Sequence, residues 1–315
     1  MTDANDEHRQ SPVERATSMP PRIQSKALYP IAVAFGKAVD NILFLGVTPK
    51  ILVSFGYREA ISFGFFQKLA RTDDITGVSG FDDWFARVSA RVEEVAKTEE
   101  AKKEFVKHLS ETADRHLASL STDEKVGPAL RSLQLSRLIL TWTAFECLAS
   151  DAWETAVNEN PLGLGQTAFK SLPAGQDVEG VSARHVSVGI LGRYGFDLRK
   201  RLGTVLRPKF DFTSVGGIRD AFEAAFGKSR VLTGILADAQ LTLLESTRHL
   251  IVHRGGTVDG EFVRRTNSRA TIGQPIPLED DEIENMLNVV AVAGADLLEF
   301  VDKTLIASNQ SSGLP

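Results

Sequence analysis

The chain has 315 residues, a formal net charge of −5, 43% apolar residues and 24% charged residues. That length and apolar content suffice for one large core or two modest ones, and the negative balance excludes broad, non-specific adhesion to nucleic acid. The single cysteine, Cys147, excludes an intramolecular disulfide framework and fits a reducing cytoplasm.

Residues 1–25 are polar, rich in Ser, Pro and Glu, and have no signal-peptide apolar core. Such a composition cannot repay the entropy of ordering, so it reads as a disordered tail. Residues 26–125 read as an N-terminal helical region. Two apolar segments over Lys26–Arg71 are divided at Gly46-Val47-Thr48-Pro49, with Thr48 suited to cap the second. The stretch Leu28–Val47 is the most apolar, but Lys37 and Asp40 would lie within any membrane span, so no span is expected. Phe55, Phe63, Phe65 and Phe66 read as core aromatics. Trp84, Val88, Val92, Val95, Phe105, Leu109, Ala113 and Leu117 recur at helical steps, predicting one long amphipathic helix or a broken pair over 81–120.

The polar break Ser121–Glu124 marks a domain boundary, and residues 126–307 read as a helical bundle. An apolar helix over Leu130–Asn158 ends at Asn160-Pro161-Leu162-Gly163, and it carries Cys147 as an expected buried thiol. Residues 163–181 read as a loop. Helical patterns then cover Ala183–Leu206, Val215–Phe226 and a helix from about Ser229 to a Gly255-Gly256 stop. After turns with a short helix or hairpin, Asp280 can cap a last helix with a core face of Ile283, Leu287, Val290, Leu297 and Val301. Residues 308–315 read as a flexible tail. No alternating strand ladder is present, so the fold class is all-α.

Charge is unevenly distributed. From Asp73 to Glu124 there are 13 acidic and 7 basic residues, whereas from Arg184 to Lys209 seven basic residues, among them Arg199, Lys200 and Arg201, face only Asp197. From Arg248 to Arg269 five arginines face two acids. This is the pattern of a polyanion site within an acidic protein, or of a solvated basic face that pairs with the acidic half.

At the glycine stop the chain reads Arg248-His249-Leu250-Ile251-Val252-His253-Arg254-Gly255-Gly256. Arginine is a forked cation suited to phosphate oxygens, and histidine exchanges protons near neutral pH. An arginine and a histidine five positions apart, with a polar residue after the arginine and an apolar run before the histidine, resemble the Arg-x(4–6)-His motif of the HEPN superfamily of helical-bundle proteins. The exit Gly255–Asp259 is similar too. Ala144-Phe145-Glu146-Cys147-Leu148-Ala149-Ser150-Asp151 resembles that family's early bundle helix with its one glutamate. The resemblance covers about 126–306 and does not reach the N-terminal helical region.

The resemblance implies a metal-independent endoribonuclease, of the kind that acts as a toxin or in phage defence. A ribose 2′-hydroxyl attacks the adjacent phosphorus, giving a 2′,3′-cyclic phosphate and a 5′-hydroxyl. In this reading His253 is the general base or acid, Arg248 stabilises charge on the phosphate, His249 positions the phosphate or the pair, and Glu146 orients them from a facing helix. Arg254, Arg199, Lys200 and Arg201 would bind RNA. A homodimer is expected, because five helical residues leave Arg248 and His253 about 140° apart and a second copy would bring the groups together. No cofactor is implied, and the N-terminal helical region is left a regulatory partner as its role. A bland reading leaves His253 at a helix end and Arg248 paired with Glu245. The function is then that of a non-catalytic bundle which dimerises and binds a partner or nucleotide. His249 and His253 also have the i, i+4 spacing of metal ligands, but no third ligand is evident and no metal site is expected.

Overall fold

The structure, a computed structural model, describes residues 11–71, 99–172, 181–182 and 185–311, with residues 83 and 86. The described residues are mostly helical, in keeping with the all-α expectation. The helices are α1 (Pro12–Thr17), α2 (Tyr29–Arg71), α3 (Glu99–Ser121), α4 (Val126–Glu159), α5 (Gln166–Ser171), α6 (Val188–Arg193), α7 (Leu202–Leu206), α8 (Val215–Phe226), α9 (Arg230–Leu236), α10 (Ala239–Arg254), α11 (Gly260–Thr266) and α12 (Asp280–Ser311). One short antiparallel pair joins Val181–Ser182 to His185–Val186. The chain divides into two compact units, one holding the residues up to Leu43 and from Gln134 on, the other Phe44–Leu133.

In the first unit α4 and α12 form the centre. Gln134 Nε2 donates to Asp280 Oδ1 at 2.9 Å, and fourteen residues on in both helices Gly294 leaves room for the Leu148 side chain and the Phe35 ring. The two helices therefore run parallel. The expected core face of α12 is buried throughout: Ile283, Leu287, Val290, Leu297 and Val301 are at most 1% exposed. Trp142, Phe145 and Trp153 of α4 are fully buried, and the Trp153 indole N–H donates to the Ala221 carbonyl of α8 at 2.7 Å. Buried indoles usually find such a partner, although the Trp142 indole N–H has none among the described residues.

The N-terminal tail departs from expectation, because residues 11–25 are ordered. Ser11 and Glu14 form a reciprocal capping box on α1, and Ala16 and Met19 are wholly buried. Arg15 bridges Asp296 and Glu299 of α12 at 2.6 and 3.1 Å. Asp302, buried on α12, accepts the backbone N–H groups of Gln24 and Ser25. A few apolar groups suffice for order here because α12 supplies the rest of the core and the charge partners. At the other end α12 runs through Ser311, so residues 308–311 of the expected tail are helical; residues 312–315 lie outside the described set.

Other boundaries also shift. The expected break at Gly46–Pro49 is absent: α2 is continuous, with Pro49 inside it, and the Thr48 hydroxyl donates to the Phe44 carbonyl instead of capping a new helix. The stretch Tyr29–Tyr57 is long and apolar enough to cross a membrane by length and composition, with a mean hydropathy of 1.5. Ala32, Phe35, Val39 and Ile42 of this stretch lie in the core of the first unit, while Lys37 and Asp40 are exposed. The expected helix over Ala183–Leu206 is broken, since Gly195 and Phe196 adopt the left-handed conformation at φ 60° and 59°. The expected loop after Gly163 contains a π-helical turn, Pro161–Gly165, followed by α5.

In the second unit Lys50 pairs with Asp114 at 2.8 Å, and the Tyr57 and His116 rings lie 5.8 Å apart. Phe55, expected in the core, is 55% exposed. The side chains of Phe63, Phe65 and Phe66 and most of 72–98, including much of the expected amphipathic helix, lie outside the described residues.

Helix α7 docks on α4 through a glycine. The Gly203 N–H donates to Asn158 Oδ1 at 2.8 Å, and a Cβ at Gly203 would collide with the Glu154 carbonyl oxygen. Gly203→Ala is expected to destabilise the fold by about 1–3 kcal/mol, the usual cost of overpacking, read as a lower urea midpoint with unchanged slope.

Candidate functional site

The motif residues lie on the last two turns of α10. The expected helix from Ser229 is split by Ala237-Asp238, and α10 starts anew with the Asp238 side chain accepting the Gln240 N–H. It ends at Gly255, which is left-handed at φ 60° and ψ 26°. The Gly255 N–H reaches the Ile251 carbonyl at 3.0 Å and the Gly256 N–H reaches the Leu250 carbonyl at 3.3 Å. This paired closure satisfies carbonyls that a helix end leaves open, and it confirms the glycine stop. Gly256 then packs against Leu135 of α4 and Ile276.

Because α10 is regular through Arg254, the chain does not unwind to bring Arg248 round to His253. The pair remains about 140° apart on the helix. His249 and His253 do share a face. Both are exposed, and their ring centroids are 4.4 Å apart at 46°. Arg248 is half-buried, its Nε is closed off from solvent without a partner, and no carboxylate pairs with its guanidinium among the described residues. Arg254 is exposed and lies 3.6 Å from Asp259.

The expected bland pairing of Arg248 with Glu245 does not occur. Glu245 is buried at 8% exposure. Its Oε1 accepts from Arg265 Nη2 at 2.7 Å and its Oε2 accepts the Val215 N–H at 2.9 Å, at the first residue of α8. Both carboxylate oxygens are thus occupied, leaving Arg248 without this partner. The charge of Glu245 was legible; its turn toward α8 and α11 was not, because it depends on where those helices pack.

Glu146 is half-buried on α4 and forms no ion pair with Arg248 or His253. The structure thus does not join the glutamate to the motif. Its neighbour Cys147 is exposed, not buried as expected. The buried side of α4 runs through Trp142, Phe145, Ala149, Ala152 and Trp153, and Cys147 lies on the opposite side with Asp151. Partial burial of the thiol, then the carboxylates of Asp151 and Glu146, push its pKa up, with Arg207 opposing.

The basic segment 199–201 is largely paired. Arg199 is held by Asp197 through Nε and Nη2, both at 3.1 Å, and Lys200 lies 3.5 Å from Glu159. Arg201, at the start of α7, is exposed and has no ion pair among the described residues. Arg207 bridges Glu154 at 3.0 Å and Asp151 at 3.5 Å. The concentration of basic residues therefore overstates the free positive charge. No group of three or more metal-ligating side chains occurs among the described residues. No family model matches the chain, and neither does any curated protein sequence or solved structure.

Two measurements probe this arrangement. Glu245→Gln removes the charge shared by Arg265 and the Val215 N–H, and about 2–3 kcal/mol of stability should be lost in thermal or urea unfolding, in line with hydrogen bonds to a charged group. Cys147 should be alkylated more slowly at pH 7–8 than in the unfolded chain, because a raised pKa leaves less thiolate. Asp151→Asn removes a neighbouring negative charge, lowers that pKa and should speed labelling; an unchanged rate would exclude the carboxylate's influence.

Proposed function

We propose that the chain is a HEPN-like, metal-independent endoribonuclease whose reaction centres on Arg248 and His253. The observation that carries the reading is Arg248 itself. It is a half-buried guanidinium with no carboxylate partner among the described residues, one residue before an exposed pair of imidazoles. Holding a cation partly desolvated and unpaired costs stability, and an anionic ligand offsets that cost.

In the reaction, Arg248 binds the phosphate and stabilises the charge that builds on its non-bridging oxygens. His253 takes the proton from the ribose 2′-hydroxyl or delivers one to the leaving 5′-oxygen. The nucleophile belongs to the RNA, so the bond from the 2′-oxygen to phosphorus forms as the bond to the 5′-oxygen breaks. His249 positions the phosphate, and Arg254 and Arg201 supply further contacts to the RNA backbone. Since regular α10 keeps Arg248 and His253 on different faces, two chains contribute their motifs to one cleft. A toxin or defence effector acting in the cytoplasm is the setting this reading implies.

A second reading is favoured by Glu146, which pairs with neither motif residue, and by the angular separation of Arg248 and His253. In it the bundle is non-catalytic, dimerises, and uses Arg248 to hold an anionic partner or nucleotide.

Purified protein is expected to cut RNA in the presence of EDTA, leaving a 2′,3′-cyclic phosphate or its opened product and a 5′-hydroxyl. His253→Ala should lower the rate by roughly 10²–10⁴ and Arg248→Ala by a similar factor, with both variants folded and dimeric by light scattering. Cleavage that survives both substitutions assigns the chain to the non-catalytic reading, and cleavage by a strict monomer excludes the shared cleft.

A further inference from the structure

We infer that His249 and His253 form a binding site for a borderline-soft divalent transition-metal ion, zinc or nickel. The site shares both histidines with the proposed cleavage chemistry, but it rests on their geometry alone and stands whether or not the chain cuts RNA. Both imidazoles are exposed on one face of α10, with ring centroids 4.4 Å apart and planes tilted by 46°. Two nitrogens that each sit about 2.0–2.1 Å from one tetrahedral ion lie about 3.3 Å apart. Side-chain rotation that parts the two rings by about 1 Å would bring one nitrogen of each to that span.

Two features of the surroundings favour a cation despite the charge of Arg248. The pair sits in the last two turns of a 16-residue helix, where the helix dipole places partial negative charge. Arg254, the nearest cation after the pair, is already drawn to Asp259. Arg248 projects about 100° round the helix from His249. The helix supplies two ligands and no more. Glu245 continues the same stripe one turn earlier but has both oxygens engaged by Arg265 and the Val215 N–H, so solvent completes the coordination. Imidazole ligands select zinc, nickel and copper(II) and leave the hard cations magnesium and calcium unbound.

The test is calorimetric titration of the full chain with zinc chloride and nickel chloride, in a Cys147→Ser background that removes the exposed thiol, together with NMR of the imidazole resonances. A single ion per chain is expected, with the His249 and His253 resonances shifting and the others still, and with no response to magnesium. His249→Ala or His253→Ala should weaken binding at least tenfold, His253→Gln should do the same with the helix intact by circular dichroism, and a His108→Ala/His116→Ala control should bind as before. Zinc affinity unchanged in the folded His249→Ala/His253→Ala variant, or no bound ion, would overturn the site. RNA cleavage is not read in this experiment, so its failure leaves the nuclease reading to be decided on its own assay.

Discussion

One buried carboxylate organises the motif helix. Glu245 joins α10 to the first residue of α8 through the Val215 N–H and to α11 through Arg265. The α8 start is a favourable place for a negative charge, because helix N-termini present unpaired N–H groups and the positive end of the dipole. A carboxylate buried this deeply would be costly alone, and it is tolerated because both oxygens accept strong hydrogen bonds. The arrangement sets the rotation of α10 about its own axis. Leu241, Leu244 and Arg248 fall on one side of the helix, with Arg248 half-buried near its end, while His249 and His253 lie about 100° and 140° further round and are exposed.

The same constraint decides what the basic residues can do. Carboxylates engage Arg265, Arg199, Lys200 and Arg207 within the fold, so counting charges along the chain misplaces the free ones. Among the described residues, Arg248, which is half-buried, and the exposed Arg201, Arg264 and Arg269 have no ion pair. A single desolvated guanidinium acts more strongly on an anion than several solvated ones, because the lower local dielectric strengthens its attraction. Of these, Arg248 alone is partly withdrawn from solvent, and the negative total charge of the chain does not bear against a phosphate beside it.

The sequence was most legible where a local rule and the core agreed. Helix α8 spans the expected residues because Ser214 caps it, accepting the Gly217 N–H, and Ile218, Ala221, Phe222 and Ala225 form one apolar face. Gly255 and Gly256 stop α10 because only a residue without a side chain adopts those backbone angles at no cost. Legibility failed where tertiary contacts overrode a local signal. Pro49 reads as a helix start, yet α2 passes through it as one continuous helix. Residues 11–25 read as disordered because their own apolar content is small, but α12 offers them a ready-made surface and three acids, Asp296, Glu299 and Asp302. Cys147 reads as buried because α4 is apolar nearly all round, and only the packing partners say which side is covered. At the site, the co-location of Arg248, His249, His253 and Arg254 on one helix end was legible from spacing. The inward turn of Glu245 and the isolation of Glu146 were not, since both depend on neighbours distant in sequence.

The separation of Arg248 from His253 carries a consequence for how the two proposed chemistries relate. A histidine that moves protons needs a free nitrogen lone pair, and a histidine that holds a metal ion has donated it. On α10 both demands fall on His253, while Arg248 takes part in only one. An ion across His249 and His253 would therefore remove proton transfer without displacing the phosphate cation, so RNA binding and RNA cleavage would separate. An ion that served the cleavage step would have to be held within reach of the Arg248-bound phosphate. The regular helix puts the paired imidazoles on a different face, which makes an inhibitory ion the arrangement this geometry supports within one chain.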